Sequence, residues 1–190
     1  MATASNVYRA YSMEYGTFVG LGWGGLFLCY VEGISTGNAL LMLLCFALFG
    51  ICGILPFFLA FRLNHKLFIA GEKLSYLQGL FFAFSMFMYA CLMNGIIAFS
   101  YFQFLDDGTL YEQLNGMLTQ PEMVSTYRQI GMEEQYSQMM SMLKEVNDLS
   151  VVEKALAVFN NNFFFSIFMS FIVAIVASYT LKNFNKGKQQ

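Results

Sequence analysis

The chain has 190 residues and a formal net charge of −2; 57% of it is hydrophobic, 18% aromatic and only 12% charged. A soluble globular protein carries roughly 25% charged residues, and no water-soluble core of this length hides 22 Phe and 13 Met beside so little charge. Composition therefore excludes a soluble protein, offers no basic surface for nucleic acid, and places residues 1–190 in a lipid bilayer as a single membrane domain.

Residues 1–12 are polar with one cation, Arg9. Tyr15 to Val31 is uncharged and bounded by Glu14 and Glu32, which predicts a first span over about residues 15–32. Leu26, Phe27 and Leu28 precede Cys29 without the small residues that a cleavage site needs, so the span is expected to be retained. Gly16, Gly20 and Gly24 recur every four residues and share one helix face, predicting a close helix crossing. A phosphate-cradling loop would need a preceding strand, and none is in the pattern.

A short turn from Glu32 to Gly37 leads to a second uncharged span over residues 38–61, in which Pro56 is expected to kink or loosen the last turns. Arg62, His65, Lys66 and Lys73 then form a basic connection. The third span, about 75–105, is longer than a bilayer requires and implies tilt or emergence. Gln78 and Asn94 are its isolated polar groups, expected to hydrogen-bond between helices.

Residues 106–155 form a polar, acidic, Met-rich block, predicted to be a helical cap. Leu110, Leu114, Met117 and Leu118 suit one amphipathic helix. Pro121 opens a second that ends at Gly131. Tyr136, Met139, Met140 and Leu143 give a third its apolar stripe. Ser150-Val151-Val152-Glu153 reads as a capping box that starts the last helix, expected to run to about Phe184. The fourth span is about 160–182, and Ser166, Ser170, Ala174 and Ser178 recur on it every four residues as the expected partner of the glycine face of span one.

The fold class is thus all-α: a polytopic membrane protein of four transmembrane helices with a helical extracytoplasmic insertion between helices 3 and 4. Four spans put both termini on one side, together with Arg9, Arg62, Lys66, Lys73, Lys182, Lys186 and Lys188. The other side holds Arg128, Lys144 and Lys154, so seven cations against three predict cytoplasmic termini. The block from Asp106 to Asn162 then faces outward with nine acids and three cations, a net of 3 − 9 = −6.

The Tyr15-Gly16-Thr17-Phe18-Val19-Gly20 opening of span one, the Pro56-containing second span, the basic second connection and the long acidic insertion resemble a four-span inner-membrane family of the Bacteroidota, a domain of unknown function. The likeness covers about residues 8–184. It implies a bacterial inner (cytoplasmic) membrane and a polyprenyl-sugar glycosyltransferase as a partner; it carries no catalytic residues.

Chemistry has few candidates. Cys29, Cys45, Cys52 and Cys91 all lie in apolar runs and read as small buried hydrophobes. His65, the only histidine, lies among cations at a membrane edge, where contact with lipid headgroups outweighs base catalysis. The adjacent acids Asp106-Asp107 and Glu133-Glu134 read as surface charge, and Met139, Met140 and Met142 as helix stripe rather than a copper site. No catalytic residue, cofactor or metal is expected. The leading reading is a non-enzymatic inner-membrane accessory or scaffold protein presenting its cap to a membrane-protein partner or a second copy. The alternative is a lipid- or isoprenoid-handling protein with the cap as lid.

Overall fold

The structure, a computed structural model, describes residues 4–179. Among them are seven helices and no strand: α1 (Ala4–Ser35), α2 (Ala39–Ile69), α3 (Tyr76–Phe104), α4 (Thr109–Leu118), α5 (Pro121–Gln129), α6 (Glu133–Asp148) and α7 (Val151–Ser178). Four of them, at Tyr8–Ser35, Ala39–Ile69, Tyr76–Phe104 and Val151–Ser178, are long and apolar enough to cross a membrane. Lys182, Lys186 and Lys188, and the last residues expected in span four, lie outside the described residues.

Three helix boundaries differ from expectation. α1 starts by Ala4, because no Gly or Pro interrupts the N-terminal segment and Tyr8, Tyr11, Ser12 and Tyr15 continue one packing face. Ser12 Oγ donates to Tyr8 O at 2.7 Å and lies 3.4 Å from Phe82 O. α2 outruns its apolar stretch as far as Ile69, since buried Leu59, Leu63 and Leu67 carry a four-residue stripe through the basic cluster. It also passes through Pro56 without a break. α7 stops at Ser178 rather than Phe184: Tyr179 is extended (φ −60°, ψ 122°).

Side-chain caps fix the starts of three long helices, Asn38 on α2 through a bond from Leu40 N and capping boxes on the other two. Ser75 and Gln78 form a capping box on α3, and Ser150 and Glu153 form one on α7. Gln78 is therefore an exposed capping residue and not an interhelical bridge. Ser150→Ala should cost about 1 kcal/mol and speed amide exchange in the first turn of α7. Unchanged exchange there would show that the box carries no stability.

The expected pairing of α1 with α7 is not what forms. α3 lies between them, packing α1 on one face and α7 on another, while α2 packs on α1 and joins α7 near its C-terminal end. Gly20 meets Ala90 and Met93 of α3, Gly16 meets Met86 and Tyr89, and Gly24 meets Ile97. Ser166 Oγ lies 3.4 Å from Cys91 Sγ, and the Ala174 carbonyl sits against Gly79. α3 can accept both neighbours because its own buried residues include Gly79, Ala83, Ala90, Cys91 and Ala98, small enough for close approach on two sides.

Candidate functional site: a cleft among the four long helices

The two ends of the bundle differ in chemistry. At one end lie Arg62, His65, Lys66 and Lys73, all exposed. His65 stacks on Phe61, with ring centroids 6.4 Å apart. The Lys66 ammonium donates to Tyr11 Oη at 3.4 Å and lies 4.6 Å from that ring's centre. These residues form a basic rim, not a converging set of acid, base and nucleophile. Just inside it, Asn64 donates through Nδ2 to the Val176 and Tyr179 carbonyls at 3.2 and 2.6 Å. The end of α7 is thereby satisfied by a side chain from α2.

At the other end, the three short helices fold over one another without burying any residue fully. Leu110 and Leu114 of α4 and Tyr136, Met139, Met140 and Leu143 of α6 are each half-buried. Tyr136 ties the group together: its hydroxyl donates to Leu118 O at 3.2 Å, and its ring lies 5.5 Å from that of Tyr127. Arg128 pairs with Glu133 at 3.1 Å, an exposed contact that adds little stability. Met142 is 62% exposed, outside the half-buried stripe that holds Met139 and Met140. The cap rests on α1 through α4, not on the emergent ends of α3 and α7.

Between these ends, in the half of the bundle nearer the cap, is a cleft of about 570 Å³. This is within the usual range of small-molecule sites, roughly 300–1,000 Å³. All four long helices contribute to it. Trp23, Phe27, Phe49, Phe87 and Phe165 give it aromatic walls, Pro56 is near one end, and Asn94, Asn161 and Asn162 supply amides. Trp23 and Phe87 stack at 5.8 Å. A smaller cleft of about 390 Å³ lies at the basic end between α1 and α3, beside Arg9, Ser12 and Ser85.

Asn94 departs from its expected role. It is 3% exposed, yet its Oδ1 has no hydrogen-bond partner among the described residues, whereas a bond to a neighbouring helix is expected from its position in an apolar span. Periodicity could not reveal this, because the cleft arises only where four helices diverge. The run Asn160-Asn161-Asn162 was the visible signal: Asn161 and Asn162 line the cleft beside Asn94.

Fold and cleft together define a multi-pass helical membrane protein with a polar three-helix cap. The chain belongs to the DUF4199 family, a family of proteins of unknown function, which it matches over residues 14–183. No curated protein and no solved structure matches it.

Proposed function

We propose that the protein is a non-enzymatic accessory or scaffold protein of the bacterial inner membrane, which presents its acidic cap to a neighbouring envelope protein. The observation that carries this reading is the cap itself. It is held against α1, buries no residue of its own completely, and leaves Met123, Ile130, Met132, Met142 and Val146 more than a third exposed amid a net charge of −6. Apolar side chains ringed by acids suit a partner surface that is apolar at its centre and basic at its rim. The excess of cations at the opposite end supports cytoplasmic termini and an outward cap. A polyprenyl-sugar glycosyltransferase, implied by the family resemblance, is one specific partner to look for. The alternative of a lid over a lipid cavity has less support, because no cap residue lines the cleft.

One experiment tests side and partner together. Met142→Cys, at an exposed cap position, is treated in spheroplasts with a thiol-reactive cross-linker that cannot cross the membrane. Labelling at residue 142 and a stoichiometric adduct with a different membrane protein are expected. No labelling would overturn the orientation, and an adduct only with a second copy would replace the accessory role by self-assembly.

A further inference from the structure

We infer that the four-helix cleft binds an uncharged long-chain amphiphile headed by a hydroxyl group, with the head at Asn94 and the chain directed toward Pro56 and Met169. This inference does not depend on the role proposed for the cap. It rests on an unpaired buried amide, on the apolar walls deeper in the cleft, and on the absence of charged side chains among the described lining residues.

Asn94 is buried with its Oδ1 unbonded, although a buried polar atom without a partner is costly. A pure hydrocarbon in the cleft would leave that cost in place. A hydroxyl group both donates and accepts, so it completes an amide whichever of its heteroatoms is presented.

The lining is ordered along the bundle axis. Asn94, Asn161 and Asn162 lie at mid-depth, with Phe27, Tyr30 and Val158 on the cap side of them and Phe87, Met169 and Pro56 deeper. Phe87 is 94 − 87 = 7 residues below Asn94 on α3, and Met169 is 169 − 162 = 7 residues below Asn162 on α7. At 1.5 Å per residue both are about 10 Å deeper. On α2, Pro56 is 56 − 45 = 11 residues below Cys45, or about 16 Å. Below the amides the cleft is walled by aromatic rings and a thioether, as the chain of an amphiphile headed at Asn94 requires.

Charge narrows the head group. Among the described residues, no Asp, Glu, Lys, Arg or His lines the cleft. A phosphate, sulfate or carboxylate would lose its hydration there with no counter-charge to replace it. Arg62, His65 and Lys66 lie beyond the deep end, below Pro56 on α2, and Lys154, one turn above Val158 on α7, lies over the Phe102 ring and not among the lining residues.

Trp23 provides the test, because it lines the cleft and is the only tryptophan in the chain. The full-length protein in nanodiscs of unbrominated phosphatidylcholine is titrated with vicinally dibrominated octadecanol, whose bromines quench indole fluorescence on contact. The methyl ether and the sulfate ester of the same chain are titrated in parallel. Saturable quenching by the alcohol is expected, about five- to tenfold tighter than by the ether, which corresponds to one neutral hydrogen bond; the sulfate should not saturate. Asn94→Leu should abolish the preference for alcohol over ether. It should leave the midpoint of thermal unfolding unchanged or raised, since it removes an unpaired group.

A second variant guards against misfolding of the first. Nothing lies within 4 Å of a Cβ added at Gly53, a residue of the cleft wall, so Gly53→Phe should fill the cleft without displacing backbone and eliminate saturable quenching. Quenching that never saturates, that ignores Gly53→Phe, or that is equal for alcohol, ether and sulfate would overturn the inference.

Discussion

Gly20→Leu should be among the most damaging single substitutions in the bundle. An added Cβ at Gly20 would stand 2.6 Å from Met93 Cβ, 2.8 Å from the Ala90 carbonyl oxygen and 3.0 Å from Ala90 Cα. Two of these three obstacles are backbone, which no rotamer change relieves. Nor can α3 retreat, because its other face is closed by α7, where a Cβ at Gly79 would stand 3.0 Å from the Ala174 carbonyl. The expected loss is about 3 kcal/mol, the top of the usual overpacking range, seen as a fall in the unfolding midpoint on the order of 10 °C for a chain of this size. Gly25→Leu is the matched control on the same helix, with nothing within 4 Å of its added Cβ, and should leave the midpoint unchanged. Equal midpoints for the two variants would show that the α1–α3 crossing is not close.

Replacing Asn64 should release the end of α7. Asn64 is 8% exposed and bridges α2 to the Val176 and Tyr179 carbonyls. These belong to the last turn and C-cap, where helical carbonyls lack their regular partners four residues on; Val176 O has besides only a long bond of 3.4 Å from Tyr179 N. Asn64→Leu keeps the volume and removes both donors, for an expected cost of about 2 kcal/mol, within the range for stranding buried polar groups. Asn64→Asp should be worse, because a carboxylate faces the same two carbonyls with acceptors only. Amide exchange in the final turns of α7 checks this, and protection equal to that of the unaltered protein in both variants would rule out the bridge as a stabilising contact.

Much of the architecture was legible along the chain. The apolar runs, Pro121 at the start of α5, Gly131 at its end and the Ser150/Glu153 box are local signals, and a helix boundary set by one side chain on a nearby amide can be read locally. The Ser75-Leu77-Gln78 region held an equally local signal in its Ser-x-x-Gln spacing, which marks Gln78 as a capping residue. The extension of α2 through Arg62, His65 and Lys66 was masked by their charge, although the Leu59-Leu63-Leu67 stripe that holds it is itself a four-residue repeat.

Partnership between helices was not legible. The glycines of α1 and the serines of α7 are each suited to close packing, and spacing alone made them suited to each other. Small-residue faces carry no address, so any small-faced helix can answer them. α3 answers both, because it is small on two sides, and by coming between α1 and α7 it sets where the helices diverge. The sequence by itself determined the membrane class, the four long helices, the three-helix cap and the separation of basic and acidic ends, all of which follow from composition and short-range periodicity. Only the tertiary structure decided that Asn64 closes α7, that the cap rests on α1, and that Asn94 stands unpaired in an aromatic cleft. Each of these depends on which residues, distant in sequence, meet across the bundle.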